Sequence, residues 1–213
     1  MDFGDALTFQ FKDPRWARKF LLAALLSLIP IMGQIVVFGW SLAISRQVMN
    51  GESDRLPDLD LTNDLLRGLK AWGISIIYAL PAILVALPVG IGLRIMVATA
   101  NGRSDTFWIL AGICLVTLLI GYGLVLIFIL PAVYANFLAK GEDFLVGMNL
   151  KEVVWLLRRS PIAYFLVMIG GFLCVFITLL GLAGCIIGVM FSGLYALTIM
   201  AHLYAQAYRT TNY

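Results

Sequence analysis

Residues 161–206 read PIAYFLVMIGGFLCVFITLLGLAGCIIGVMFSGLYALTIMAHLYAQ. Apart from weakly acidic tyrosines and cysteines, the only ionisable side chain in this run is His202. A helix rises 1.5 Å per residue, so a bilayer core of about 30 Å takes roughly 20 residues. The run is long enough for two passes and too long for one. Gly181, Gly184 and Gly188 sit near its middle, where a turn must fall. The stretch therefore predicts a helical hairpin, 161–182 and 185–208, in an integral membrane protein.

The bulk composition agrees. Of 213 residues, 62% are hydrophobic and 13% charged, and the mean hydropathy is +0.96. Soluble domains carry about 25% charged residues. The length suits a single membrane domain, residues 1–213, with an all-α transmembrane bundle as its fold. Cys114, Cys174 and Cys185 lie in apolar runs without CxxC spacing, which predicts buried structural thiols. MDFGDALTFQF has two acids and no basic region before an apolar core, so it does not read as a signal peptide.

Phe3, Leu7 and Phe11 fall at i, i+4 and i+8, predicting an interfacial helix over 2–11. The helical segment 14–49 holds an apolar run, Phe20 to Ser45, interrupted by Pro30-Ile31-Met32-Gly33-Gln34. A proline there removes a helix hydrogen bond and crowds the preceding turn. Either one kinked span or a re-entrant hairpin fits. Asn50-Gly51 ends the second arm. Asp60 or Thr62 then caps a helix whose apolar side is read as Leu61, Leu65, Leu66 and Leu69. Spans follow at 65–100, with Pro81 and Pro88, and at 106–139, with Pro131. An amphipathic pattern over 144–159 places Leu150, Val153, Val154 and Leu157 on one face, predicting a second interfacial helix.

Basic residues favour the cytoplasmic side of a membrane. If 14–49 crosses once, six of the fifteen Lys and Arg fall on one side and nine on the other. If it turns back, the N-terminus, 46–70, 140–160 and the C-terminus share a side and carry thirteen. The hairpin, with both termini cytoplasmic, is the reading the charges favour. A faint repeat opposes it: Pro30…Asn50-Gly51-Glu52-Ser53-Asp54 recurs as Pro81…Asn101-Gly102-Arg103-Ser104-Asp105. If real, it gives the two proline-broken units one architecture.

All twelve carboxylates lie outside the apolar runs. Ion- and proton-coupled transporters place such groups within the membrane, so that class is disfavoured. No paired acids, HExxH, Gly-rich phosphate loop or GxSxG elbow is present, so no catalytic site or metal centre is expected. His202 and Gln206, four apart, share a helix face. His202 is either an interfacial side chain bonded to a neighbour or an axial ligand for haem or chlorophyll. Gln34, Asn136 and Gln206 are candidates for interhelical polar contacts or for a cavity lining. Arg15, Arg18 and Lys19, with Lys151, Arg158 and Arg159, are candidate contacts for anionic lipid headgroups.

Three functions follow from these readings. The first is a non-enzymatic structural or accessory protein, packing with membrane lipids or other membrane subunits. The second is a transporter or channel for an uncharged or lipid-like solute. The third is a haem- or chlorophyll-binding subunit through His202. No nucleic-acid partner is expected, because the basic residues form no continuous stripe.

Phe9-x-Phe11-Lys12-Asp13-Pro14-x-Trp16, Ile29-Pro30-Ile31-x-Gly33 and Arg46…Asn50-Gly51…Leu56-Pro57 resemble the opening of a prokaryotic membrane family. That family is catalogued as domain of unknown function forty-thirteen. Leu69-Lys70-Ala71, Ala79-Leu80-Pro81 and Ala201-His202-Leu203-Tyr204 are also similar to it. The resemblance implies a bacterial or archaeal multi-helix inner-membrane protein. It brings no activity and no functional residue.

Overall fold

The computed structural model describes residues 1–52, 55–99 and 106–212, and among them the chain is helical with no strand. In order come α1 (Phe3–Thr8), a 3-10 turn (Phe9–Lys12), α2 (Trp16–Ser27), α3 (Met32–Met49), α4 (Leu61–Thr99) and α5 (Thr106–Ala139). Then follow α6 (Phe144–Gly147), α7 (Leu150–Arg159), α8 (Pro161–Leu180), a 3-10 turn (Gly181–Gly184) and α9 (Cys185–Asn212). Four segments are long and apolar enough to cross a membrane: Leu61–Gly92, Leu110–Ala139, Pro161–Gly184 and Ile187–Thr211. The chain forms two compact units, Met1–Ile74 with Phe128–Tyr213, and Ser75–Ile127.

In the first unit, α2 and α3 make a hairpin. Phe20 packs edge-on against Trp40, ring centroids 6.1 Å apart, so the chain doubles back about Pro30. The reversal uses a γ-turn, with Met32 N–H donating to Pro30 C=O at 2.8 Å. Ile31 is its central residue, at φ 64° and ψ −66°. A β-branched residue at positive φ is strained. Gly33 lets the arms close, since a Cβ there would overlap the Leu26 carbonyl. The arms have 12 and 18 residues. They reach about 18 and 27 Å, short of a bilayer core of about 30 Å. Pro81, by contrast, lies inside the continuous α4. The two proline-broken units therefore differ in architecture, against the repeat; Asn101–Asp105 falls outside the described residues.

Helix α3 is the centre of this unit. Val37, Trp40, Ile44 and Val48 pack with Phe20, Ala23, Leu194 and Ala201 in one core. Its contact with α4 closes at two glycines. A Cβ on Gly39 would overlap the Asp64 carbonyl, and one on Gly68 the Ile35 carbonyl. The inward side of α4 is thus Asp64, Gly68, Ala71 and Ile74, all buried. Leu61, Leu66 and Leu69, read from the sequence as its apolar side, are exposed. The pattern is inverted because lipid solvates leucine as well as a protein core does, whereas small residues allow backbones to meet. Similarly, Cys174 is buried as expected, but Cys114 and Cys185 are exposed.

Helices α3 and α5 end alike. Gly51 N–H bonds to Val48 C=O and Glu52 N–H to Gln47 C=O; Gly141 N–H bonds to Leu138 C=O and Glu142 N–H to Phe137 C=O. These are Schellman closures, with each glycine left-handed. The segment expected as one helix over 144–159 is two, because Asp143 caps Leu145 N–H and Asn149 caps Lys151 N–H. Its buried face is Val153, Leu156 and Leu157, while Leu150 and Val154 are exposed. Helix α8 starts on Pro161, where a missing N–H costs nothing. At the far end of the α8–α9 hairpin, Gly181 lies against Gly188 and Ser192 so closely that a Cβ would overlap both.

The second unit, Ser75–Ile127, holds the C-terminal part of α4 and the N-terminal part of α5. Tyr122 Oη donates to the Tyr78 carbonyl at 2.6 Å. Most of its large apolar side chains, such as Leu84, Leu87, Ile113 and Leu118, are exposed.

Candidate functional site

Most ionisable side chains of the first unit lie in four segments: the N-terminus, residues 46–70, residues 140–160 and the end of α9. Direct bonds tie these segments together. Asp13, buried, takes Lys19 Nζ at 2.8 Å on one oxygen, which also accepts Leu56 N–H at 3.0 Å. Lys19 further reaches Asp58 at 3.0 Å and donates to the Leu56 carbonyl. Burial pushes the Asp13 carboxyl upward, but Lys19 and the N–H groups of Arg15 and Leu56 outweigh it and hold the group below its ordinary value. The hydrogen bond from Lys19 likewise lowers Asp58.

Lys19 therefore does not belong with Arg15 and Arg18 as a lipid contact. It is 6% exposed, with its charge consumed by Asp13 and Asp58. Arg15 and Arg18 are exposed, as are Lys151, Arg158 and Arg159.

A second cluster centres on Glu142. Its Oε1 lies 2.7 Å from Arg67 Nε and 2.9 Å from Arg46 Nη1, and its carbonyl accepts from Lys70 Nζ at 3.1 Å. Arg67 also pairs with the buried Asp64 at 2.7 Å. Glu142 holds φ 63°, a left-handed conformation that costs a non-glycine residue about 1–2 kcal/mol. Nearby, Lys140 pairs with Glu152 at 2.7 Å. Hydrogen bonds from Lys140 and Asn136 lower the Glu152 carboxyl.

The third cluster docks the N-terminus on α9. Gln206 Oε1 accepts from Asp2 N–H at 2.8 Å, and its Nε2 donates to the Asp2 carbonyl at 3.0 Å. That fixes the amide orientation. The remaining Nε2 proton faces His202 Nδ1 at 3.1 Å. Nδ1 is then an acceptor and the ring proton sits on Nε2, 3.4 Å from Asp5 Oδ2 but poorly aligned with it. Phe9 stacks on the imidazole at 4.4 Å, and Tyr195 Oη donates to the Leu7 carbonyl at 2.8 Å. Asp5 is held below its ordinary value by its hydrogen bond with Lys12.

The segment expected as an interfacial helix over 2–11 is thus a short helix and a 3-10 turn packed on α9. Ala6, Phe9 and Gln10 are buried; Phe3 and Leu7 are half-buried and Phe11 is exposed. His202 is 1% exposed, with Gln206 and Asp5 beside its nitrogens and Phe9 on its face.

The other two polar candidates also bond within the chain. Gln34 Nε2 donates to the Ser27 carbonyl at 2.9 Å, bridging the α2–α3 reversal. Asn136 Nδ2 donates to the Val146 carbonyl at 3.0 Å, joining α5 to α6. The partners Asp5, Asp58 and Glu142 carried no sequence signal, because each is far along the chain from the residue it meets. An open pocket of about 360 Å³ is lined by Met1, Asp2, Gln206, Arg209 and Thr210. Among the described residues no group of His, Cys, Asp and Glu is placed to hold a metal ion.

The architecture is that of a multi-pass membrane protein, all-α and with its ion pairs gathered in a few connected segments. The chain belongs to DUF4013, a protein family of unknown function whose model matches residues 22–189. The match leaves out both the Phe9–Trp16 pattern and Ala201–Tyr204. No curated protein and no solved structure matches the chain.

Proposed function

We propose that this is a non-enzymatic, structural or accessory protein of a prokaryotic inner membrane, packing against lipid or other membrane subunits. One observation carries the reading. The strongly polar side chains within the apolar runs are engaged inside the chain: Gln34 with Ser27, Asn136 with Val146, and Gln206 with Asp2 and His202. Such amides hold helices together. A cavity lining would instead present them to a solute. The surroundings of His202 favour the same role, since neighbouring side chains of this chain already occupy the positions an axial ligand would need free.

Thirteen of the fifteen Lys and Arg residues lie in the first unit. Positively charged segments favour the cytoplasmic side, so its polar segments and both termini are assigned there. Purification from membranes in mild detergent tests the proposal. Stable co-purification with other subunits, or a tightly held lipid complement, is the expected result. A lone chain that moves a solute across liposomes, or one that turns over a substrate, overturns it.

A further inference from the structure

Helix α7 buries Val153, Leu156 and Leu157 and turns its other side outward. On that outer side Lys151, Trp155 and Arg158 fall at i, i+4 and i+7, a single stripe along the helix. Leu150 and Val154 flank it, 58% and 40% exposed. The Arg159 guanidinium lies 5.2 Å from the Trp155 ring centroid. The charge here is uncompensated. Glu152, the only acid of α7, is neutralised by Lys140. Lys12, Lys19, Arg46, Arg67 and Lys140 each pair with a carboxylate, whereas Lys151, Arg158 and Arg159 pair with none among the described residues. Two residues beyond Arg159 the candidate span Pro161–Gly184 begins, with Ile162 74% and Phe165 50% exposed in its first turns.

We propose that the outer face of α7 docks anionic phospholipid headgroups. Lys151, Arg158 and Arg159 supply the charge, and Trp155, Leu150 and Val154 enter the boundary between headgroups and acyl chains. The inference rests on the membrane reading above and deepens it. Helices that lie in this boundary combine cations with Trp and Leu in this way. A soluble anion would satisfy the cations but leave the exposed Trp155 and leucine in water, so the surface is matched to a lipid.

The test uses the full chain in detergent, titrated with short-chain phosphatidylglycerol or phosphatidylcholine while the thermal midpoint is followed. Phosphatidylglycerol is expected to raise the midpoint at lower concentration than phosphatidylcholine. Each basic residue near an anionic surface contributes about 1 kcal/mol, roughly fivefold in affinity, so K151Q/R158Q/R159Q is expected to lose about a hundredfold. The charge-retaining K151R/R158K/R159K variant keeps the preference. All three side chains are exposed, so both variants should match the parent midpoint without lipid. An equal response to the two lipids overturns the proposal. So does a preference that survives the triple Gln variant, or one that inorganic phosphate reproduces. None of these outcomes depends on whether partner subunits co-purify, so this test and the one above can fail separately.

Discussion

Glu142 and Arg67, 75 residues apart, are joined by a 2.7 Å contact between Oε1 and Nε. The same carboxylate takes Arg46. One side chain on a strained residue thus ties the end of α5 to both α3 and α4. Breaking a largely buried pair leaves a charge without its partner, although Arg67 would keep Asp64. Glu142→Ala is expected to destabilise the protein by about 2 kcal/mol, read as a lowered thermal midpoint in detergent. Glu142→Gln, which keeps one acceptor oxygen, should lose less.

Gly39 and Gly68 sit where α3 and α4 touch backbone to backbone. Gly39→Ala or Gly68→Ala should separate the helices and sharply lower the yield of monodisperse protein. Gly123→Ala is the control, because nothing lies within 4 Å of a Cβ there. Equal yields for all three would show that the close approach is dispensable.

Ile31 is 65% exposed and holds φ 64°. Glycine adopts that conformation freely. Ile31→Gly is expected to raise stability by about 1 kcal/mol, since little packing is lost and the strain of a left-handed side chain is removed. A lowered midpoint would count against the γ-turn.

The Asp13–Lys19 clamp has a defined pH window. Asp13 is held below its ordinary value of 3.8, so its contribution is fully present above that value and fades as the pH falls through the lower, folded-state value. Protease protection around residues 12–20 is expected to stay flat from about pH 8 to 5, and to fall only below about 3.8. Asp13→Asn should remove that acid step.

Gln206→Ala takes away both amide bonds to Asp2 and the one to His202. Each such bond contributes about 1 kcal/mol. Hydrogen exchange over residues 3–12 is expected to quicken by at least tenfold, with the core of α3 unchanged. Equal acceleration in both regions would mean that the N-terminal segment does not open on its own.

The helices were legible from the sequence because unbroken apolar runs leave the backbone no partner but itself. The reversal at Pro30 was chosen over a kink by the charge distribution and the stop at Gly51 by turn chemistry, and grouping the basic residues picked out the four segments that direct bonds tie together. Faces were harder to read. For α4 the periodicity groups the leucines as the apolar side, yet Asp64, Gly68 and Ala71 face the interior, since apolar periodicity does not separate lipid from protein core. Lys19 was grouped with Arg15 and Arg18 as a headgroup candidate because the three are neighbours in the chain; Asp58 is remote and gave no warning. Gln34, Asn136 and Gln206 were recognisable as polar contacts, but their partners were not, and neither was the docking of residues 3–12 on α9.

Asp2 is bound by a side chain 204 positions further on. While the protein is being synthesised, residues 2–12 leave the ribosome long before α9 exists. They must therefore wait, undocked, until α9 has been made. Residues 2–12 settle only after α9, and their attachment to Gln206, His202 and Tyr195 reports that α9 has arrived in register.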